Sequence, residues 1–223
     1  MMDLTIIREI ANKLQPELSK WLESIDANSI DLHELDRPIL DQADAKPECE
    51  EGEVRPLTQE EKEHYKEKIS CSGHLIEGAT IDEDGKIHLK TINEGKEGVT
   101  GEDGVTYVRK TFIVNGVEIE GVFPQFESAI DVQLPEELMQ AKDSVQAEYS
   151  NKALKEKVNS DPEFASQFND EQLEQIENGE TPDGYTWHHN EEPGKMQLIS
   201  TEDHNTNRHT GGKAIWGGGK ENR

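Results

Sequence analysis

The stretch from residue 184 to residue 212 reads GYTWHHNEEPGKMQLISTEDHNTNRHTGG, and it predicts two short strands followed by a helix. Pro193-Gly194 is a turn signal between two β-prone runs, so these runs are expected to form a hairpin. Ser200 followed by Asp203 has the spacing of a helix N-cap, which places the start of a helix directly after the second strand. The same stretch holds four of the eight histidines in the chain, which marks it as the candidate site.

The four histidines differ in what their positions allow. Successive side chains of a strand point to opposite faces, so His188 and His189 cannot act from the same position. One of them can bind a metal ion while the other acts as a base. His204 falls in the first turn of the helix, and His209, five residues later, lies about 140° further around an ideal helix. For both to reach one ion, the helix must loosen or end near Asn207-Arg208.

A cluster of histidines alone can support hydrolytic chemistry. Neutral imidazole binds ions such as Zn²⁺, Ni²⁺ and Mn²⁺, and it accepts a proton near pH 7. Such a cluster can therefore hold a Lewis acid and make a nucleophile from water. A structural zinc site is the alternative for His188, His204 and His209. The adjacent His189 argues against that alternative, because a closed structural site has no use for a second histidine beside a ligand.

These residues resemble a known family. The run GYTWHHNEEPGKMQLI, the following H-x4-HTGG and then AIWGGG closely resemble the WHH family of the HNH/endonuclease VII superfamily, the nuclease tips of bacterial polymorphic toxins. The resemblance is specific over residues 184–219 and reaches back to about residue 82. It implies a ββα-metal fold and a metal-dependent endonuclease that hydrolyses phosphodiester bonds, DNA being favoured, with one divalent ion (Zn, Mg, Ni or Mn).

The resemblance also implies roles for individual residues. His188 would bind the metal and His189 would be the general base. His204 takes the helix position that is Asn or His across the superfamily. His209 takes the place of the second helix-end ligand of colicin-type DNases. The expected ligand set is therefore His188, His204 and His209.

Further residues are predicted around this set. Arg208 is expected to act in catalysis as a phosphate clamp, and Lys213 and Lys220 are expected to contact nucleic acid. Trp187 is expected to support the site from the core. The Asn that orients the base in this superfamily has no unambiguous counterpart here, and the candidates are Asn190, Asn205 and Asn207.

The charge of the chain is unusual for a protein that acts on nucleic acid. Its net charge is −25, and residues 181–223 carry six acidic and five basic side chains, so residues 1–180 account for −24. Surfaces that bind nucleic acid normally collect Lys and Arg. A second hypothesis is therefore a non-catalytic acidic binding or mimic protein with a structural zinc site. The His188-His189 pair favours the nuclease, and an RNA-cleaving toxin would share every residue named above.

Upstream of the hairpin, the patterns predict an α+β protein. Residues 4–25 have the spacing of an amphipathic helix, and an acidic linker follows. Thr58 and Glu61 form a capping box for a helix that ends near Ser70. Three alternating runs then predict a small antiparallel sheet, with an Asn115-Gly116 turn between the last two. These runs are Lys86–Thr91, Val105–Val114 and Val117–Phe123.

Helices are predicted between this sheet and the hairpin. Pro135 stands at the first turn of a helix whose apolar face would carry Leu138, Ala141, Val145 and Tyr149. Residues 126–134 are interpreted as a connection into that helix. Two further helices are expected, one opened by Asp161-Pro162 and one capped by Asn169 with Gln172.

The elements group into three regions. Residues 1–56 are expected to form an N-terminal helix and acidic linker, residues 57–134 a small α+β pretoxin-like region, and residues 135–223 a helical support with the nuclease tip (core 184–219). No apolar run approaches the ~20 residues of a membrane helix. The N-terminus also lacks the order of a secretory signal. The resemblance implies a secreted or delivered antibacterial toxin that acts in the target-cell cytoplasm and is neutralised at home by a cognate immunity protein.

Overall fold

A computed structural model describes residues 54–219. The predicted N-terminal helix, nearly all of the acidic linker, and Lys220 lie outside the described residues. Within residues 54–219, no helix is long and apolar enough to cross a membrane.

The first sheet has five strands: β1 Arg55–Pro56, β2 Thr80–Ile81, β3 Ile87–His88, β4 Thr106–Val114 and β5 Val117–Gln125. Their spatial order is β1-β2-β3-β5-β4. The prediction of an antiparallel sheet is wrong in one pairing, because β3 pairs with β5 in parallel. The chain crosses over between β3 and β4, which brings β3 beside the second strand of the next hairpin.

The turn of the β4–β5 hairpin has the predicted form. Asn115 and Gly116 have φ values of 48° and 76°. A type I′ turn needs positive φ at both central residues, which Asn-Gly tolerates well. The turn therefore sets the register in which Val114 pairs with Val117.

Two helices accompany the first sheet: α1 Gln59–Ile69 and α2 Gly73–Glu77. The predicted capping box of α1 is confirmed, since the Glu61 amide donates to the Thr58 hydroxyl at 3.3 Å and the Glu61 carboxylate accepts from the Thr58 amide at 2.8 Å. Ile69 is fully buried in the core of this sheet.

The second sheet contains the predicted hairpin, β7 Tyr185–His189 and β8 Lys195–Ser200, and a third strand, β6 Ser128–Gln133. The order is β6-β8-β7 and both pairings are antiparallel. The interpretation of residues 126–134 as a simple connection is wrong, because β8 offers its second edge to β6. The sheet thus joins segments on both sides of the boundary predicted after residue 134.

Three helices cover the second sheet: α3 Asp143–Ser160, α4 Pro162–Ala165 and α5 Asp170–Glu177. Asp161 caps α4 and Asn169 forms a capping box with Gln172 at α5, as predicted. Their contact with the sheet is an apolar cluster that includes Leu154, Phe164, Phe168, Ile176 and Leu198.

The start of α3 and its buried face differ from the prediction. Pro135 precedes only a 3-10 turn, Glu136–Leu138, and Val145 and Tyr149 are 40% and 39% exposed. The buried positions of α3 are instead mostly polar, because neighbouring segments supply hydrogen-bond partners for Gln146 and Asn151, and the Ser150 hydroxyl donates to a carbonyl of its own helix. They are Gln146, Ser150, Asn151 and Leu154.

The last two helices are short: α6 Thr201–Thr206 and α7 Gly212–Ile215. The Asp203 amide donates to the Ser200 hydroxyl at 3.3 Å, which confirms the predicted N-cap of α6. After α7 the chain packs into the core of the first sheet through Trp216, which is 2% exposed. The C-terminal segment therefore connects the hairpin to the first sheet.

Gly212 packs closely against neighbouring groups in this C-terminal segment. A Cβ atom on Gly212 would collide with the Asn190 carbonyl oxygen and with the Trp216 indole nitrogen that donates to it. We expect Gly212→Ala to cost about 1–3 kcal/mol of unfolding free energy. Calorimetry should show this as a lower Tm, by roughly 2–4 °C per kcal/mol.

Gly211→Ala is the matched control for this substitution. The nearest atom to a Cβ at Gly211 is His209 Nε2 at 3.7 Å, an ordinary contact. Its Tm should stay near that of the wild type. Equal Tm values for the Gly212→Ala and Gly211→Ala variants would contradict the tight packing described here.

Candidate active site

Three histidines meet at one point beside the second sheet. His188 comes from β7, His204 from α6 and His209 from the loop after α6. Each offers a ring nitrogen, and these nitrogens all lie within 4.8 Å of one another. The three side chains could therefore hold one metal ion, with nitrogen ligands that suit Zn²⁺, Ni²⁺ or Mn²⁺.

The surroundings keep these imidazoles neutral. Burial lowers the pKa of His188 well below its usual value, and the neighbouring His209 and His204 lower it further. Burial also lowers the pKa values of His204 and His209. A metal ion binds the neutral form, so the cluster need not lose protons near pH 7 before it binds one.

Phe126 forms one wall of the cluster. Its ring lies 5.0 Å from the His188 ring, 5.3 Å from the His209 ring and 6.3 Å from the His204 ring, between centroids. The residue sits between β5 and β6, in the segment that is interpreted from the sequence as a connection. An apolar ring at this place removes water from the imidazoles, which is the desolvation that lowers their pKa values.

His209 reaches the cluster because α6 ends at Thr206, and this meets the condition set by the five-residue spacing. His209 Nδ1 lies 2.6 Å from the Asn207 carbonyl oxygen. A carbonyl only accepts, so Nδ1 carries the hydrogen and Nε2 is the nitrogen with the lone pair.

The loop after α6 is anchored by the first sheet region. The Tyr107 hydroxyl donates to Asn207 Oδ1 at 2.8 Å, and Asn207 Nδ2 donates to Asp103 at 2.5 Å. Asn93 Nδ2 donates to the Arg208 carbonyl at 2.9 Å. Residues more than 90 positions away from His209 thus hold its backbone, which no local pattern could reveal.

His189 points to the opposite face of β7, as the alternation predicts. Its ring lies 5.8 Å from the Trp216 ring, and its Nε2 lies 2.8 Å from Gln146 Oε1. Both histidines of the pair nevertheless line a single cleft of about 730 Å³. His204, His209 and the exposed Arg208 line the same cleft.

The three asparagine candidates lie elsewhere. The Asn190 side chain is buried and donates to Gln197 Oε1 at 2.8 Å, Asn205 is exposed beside His204, and Asn207 shapes the loop of His209. The side-chain amide that meets the His189 ring is that of Gln146 on α3, 43 residues earlier. The sequence offered no signal for it, because a lone Gln in a helix has no motif.

Trp187 and Lys213, two further residues of the predicted site, lie in different environments. The Trp187 indole donates to Asn151 Oδ1 at 2.7 Å and packs against the core, as expected for a supporting residue. Lys213 is only 5% exposed, and its ammonium group is directed to Ala141, Asp143 and Gln146. This placement does not support the predicted contact between Lys213 and nucleic acid.

Residues 115–211 match the family model of the DNase/tRNase domain of colicin-like bacteriocins. The match includes both histidines of the pair and the two downstream histidines, and it covers less than half of the chain. Searches of curated proteins and of solved structures gave no significant match. The family match supports a bacterial toxin nuclease domain of the bacteriocin type.

Tyr107→Phe tests whether the first sheet shapes the histidine cluster. The variant removes only the hydroxyl that holds Asn207, so the loop of His209 should loosen. We expect the affinity for Zn²⁺ to fall by about 10-fold or more, as is usual when a residue that orients a ligand is removed. Competition against a coloured chelator measures it. Tyr65→Phe on α1 is the control, and equal affinities of the two variants would argue against the anchoring role.

The lowered pKa values predict a pH dependence of stability without metal. The unfolded chain binds protons to these histidines near pH 6.5 and the folded chain only at lower pH. Their stabilising contribution is therefore complete above about pH 6.5 and is lost as the pH falls toward the lowered values. In excess chelator, the Tm of the wild type should fall more between pH 7.5 and 5 than that of His188→Gln.

The comparison with His188→Gln removes the effect of the many carboxylates, which both proteins share. His64→Gln, on the exposed side of α1, controls for the loss of a histidine outside the cluster. Parallel Tm curves for the wild type and His188→Gln would contradict the lowered pKa of His188.

Proposed function

We propose that the chain is an HNH-type, metal-dependent endonuclease of the WHH family that cleaves DNA as an antibacterial toxin. The observation that supports the proposal is that the two histidines of the pair face opposite sides of β7. His188 lies with His204 and His209, while His189 faces the other side of β7 in the same cleft. A structural zinc site, as in the acidic mimic hypothesis, would not need this second histidine.

The proposed roles follow from this division. His188, His204 and His209 would hold one divalent ion, with Zn, Mg, Ni and Mn as candidates. When bound, the ion would supply Lewis-acid stabilisation of the developing negative charge on the phosphate and its leaving oxygen. His189 would take a proton from the attacking water, a contribution of typically about 10²- to 10⁴-fold.

Arg208 is proposed to bind the substrate phosphate. It is exposed at the cleft, next to His209, and its backbone carbonyl is held by Asn93. A guanidinium can pair with two phosphate oxygens at once, which fixes orientation as well as charge. Lys220, outside the described residues, remains a proposed contact.

RNA is the second candidate substrate, because the matched family includes tRNases as well as DNases. We propose further that the toxin is delivered into the cytoplasm of target cells and is held inactive at home by a cognate immunity protein. The match to a bacteriocin domain supports this.

The division of roles can be tested by alanine substitution. His189→Ala should lower the rate of cleavage by at least about 100-fold and leave metal affinity within a few-fold of the wild type. His188→Ala should weaken both. Plasmid DNA and total RNA are both offered as substrates, in chelator and after addition of each candidate ion.

His64→Ala serves as the control for a histidine outside the cleft. An equal loss of metal binding in His188→Ala and His189→Ala would contradict separate roles. Cleavage by the wild type that continues in excess chelator would contradict metal dependence.

A further inference from the structure

Lys213 is a buried cation that the proposed function does not use. Its ammonium nitrogen donates to the Ala141 carbonyl at 2.7 Å and to Gln146 Oε1 at 3.0 Å, and it pairs with Asp143 Oδ1 at 3.0 Å. Burial of an ammonium group is costly unless it is paired and hydrogen-bonded. The ammonium group thus donates two hydrogen bonds and has one carboxylate as its charged partner. Lys213 also lies beyond the matched residues 115–211.

The orientation of the Gln146 amide follows from its own contacts. Gln146 is fully buried, and its Nε2 donates to the carbonyl oxygens of Leu138 and Met139, both at 2.8 Å. A flipped amide would place its oxygen against two carbonyls and its NH₂ against the Lys213 ammonium group. The oxygen Oε1 must therefore face Lys213 and His189.

This orientation decides which nitrogen of His189 carries a hydrogen. Gln146 Oε1 only accepts hydrogen bonds, so His189 Nε2, at 2.8 Å, must be the donor. A neutral imidazole has one N–H, so the lone pair is then on Nδ1. The tautomer is set by a residue of another element, as is common for functional histidines.

We infer that Gln146 and Lys213 are positioning residues that hold His189 in its Nε2–H tautomer and so make Nδ1 the proton-accepting atom. The catalytic meaning of this inference rests on the proposed function of His189. Lys213 acts through Gln146: it ties the amide oxygen to the Ala141 carbonyl and to Asp143 at the start of α3. The site thus uses a buried lysine to orient a base.

The tautomer can be measured without any reaction. The full chain is labelled with ¹⁵N-histidine and kept free of metal by chelator at pH 8, and long-range ¹H–¹⁵N correlations separate the two tautomers. The signals of His189 are assigned by their loss in His189→Gln. The wild type should show the Nε2–H form. Gln146→Met, which has a similar volume and no amide acceptor, should lose that preference.

Two further variants separate orientation from folding. Gln146→Glu keeps an acceptor toward His189 and Lys213 but loses the donor bonds to the Leu138 and Met139 carbonyls, so it should retain the Nε2–H tautomer with a lower Tm. Lys213→Met leaves both donor bonds of Gln146 intact and removes the link from its oxygen to Ala141 and Asp143, so it should weaken the tautomer preference. It provides the test if Gln146→Met does not fold. Gln167→Met, at an exposed position, is the control for the substitution itself.

Kinetics give the second measurement. Gln146→Met should lower kcat by about 10- to 100-fold with KM within about 3-fold, because binding contacts remain and the base is misoriented. An Nδ1–H tautomer in the wild type, or wild-type tautomer and kcat in both Gln146→Met and Lys213→Met, would overturn the inference. A wild type that shows the Nε2–H form but cleaves neither DNA nor RNA would instead refute the proposed function.

Discussion

The alternation of side chains along β7 is the constraint on which the candidate site depends. His188 and His189 are neighbours in sequence, yet the strand sends their rings to opposite faces. One ring meets Phe126 and two further histidines, and the other meets Gln146. A shift of one residue in the β7–β8 pairing would exchange these faces. Strand geometry therefore separates the candidate metal ligand His188 from the candidate base His189, although the two are adjacent in sequence.

The first sheet completes this arrangement from a distance. Its Tyr107 and the nearby Asn93 hold the loop that carries His209, and the C-terminal segment packs Trp216 into its core. Both anchoring residues precede the segment that matches the bacteriocin DNase/tRNase domain. The structural unit that shapes the site is thus larger than the matched segment, since the end of α6 alone does not place His209.

Local environment matters more for the site than the net charge of −25. Burial by Phe126 and the protein around it keeps the clustered histidines neutral. The charge of Lys213 is compensated by Asp143 and by hydrogen bonds to carbonyl groups. At physiological ionic strength, exposed charges are screened beyond about 8 Å. Acidic residues distant from the cleft therefore have little effect on the potential at the exposed Arg208.

The sequence by itself determined the elements whose signals are local. Capping residues predicted the starts of α1, α4, α5 and α6, and turn dipeptides predicted both hairpins. Strand alternation predicted the opposite directions of His188 and His189. For His204 and His209 to reach one ion, their spacing also required the helix to loosen or end near Asn207-Arg208. These features depend on backbone geometry over a few residues, which the side chains concerned reveal directly.

Tertiary structure alone decided the remaining features. The parallel pairing of β3 with β5, the strand β6 and the polar buried face of α3 each depend on partners far along the chain. The same holds for Gln146 beside His189 and for the burial of Lys213, which sequence reasoning assigned to nucleic acid. A polar side chain is stable inside a protein only where its hydrogen-bond partners converge, and the fold rather than the local pattern brings those partners together.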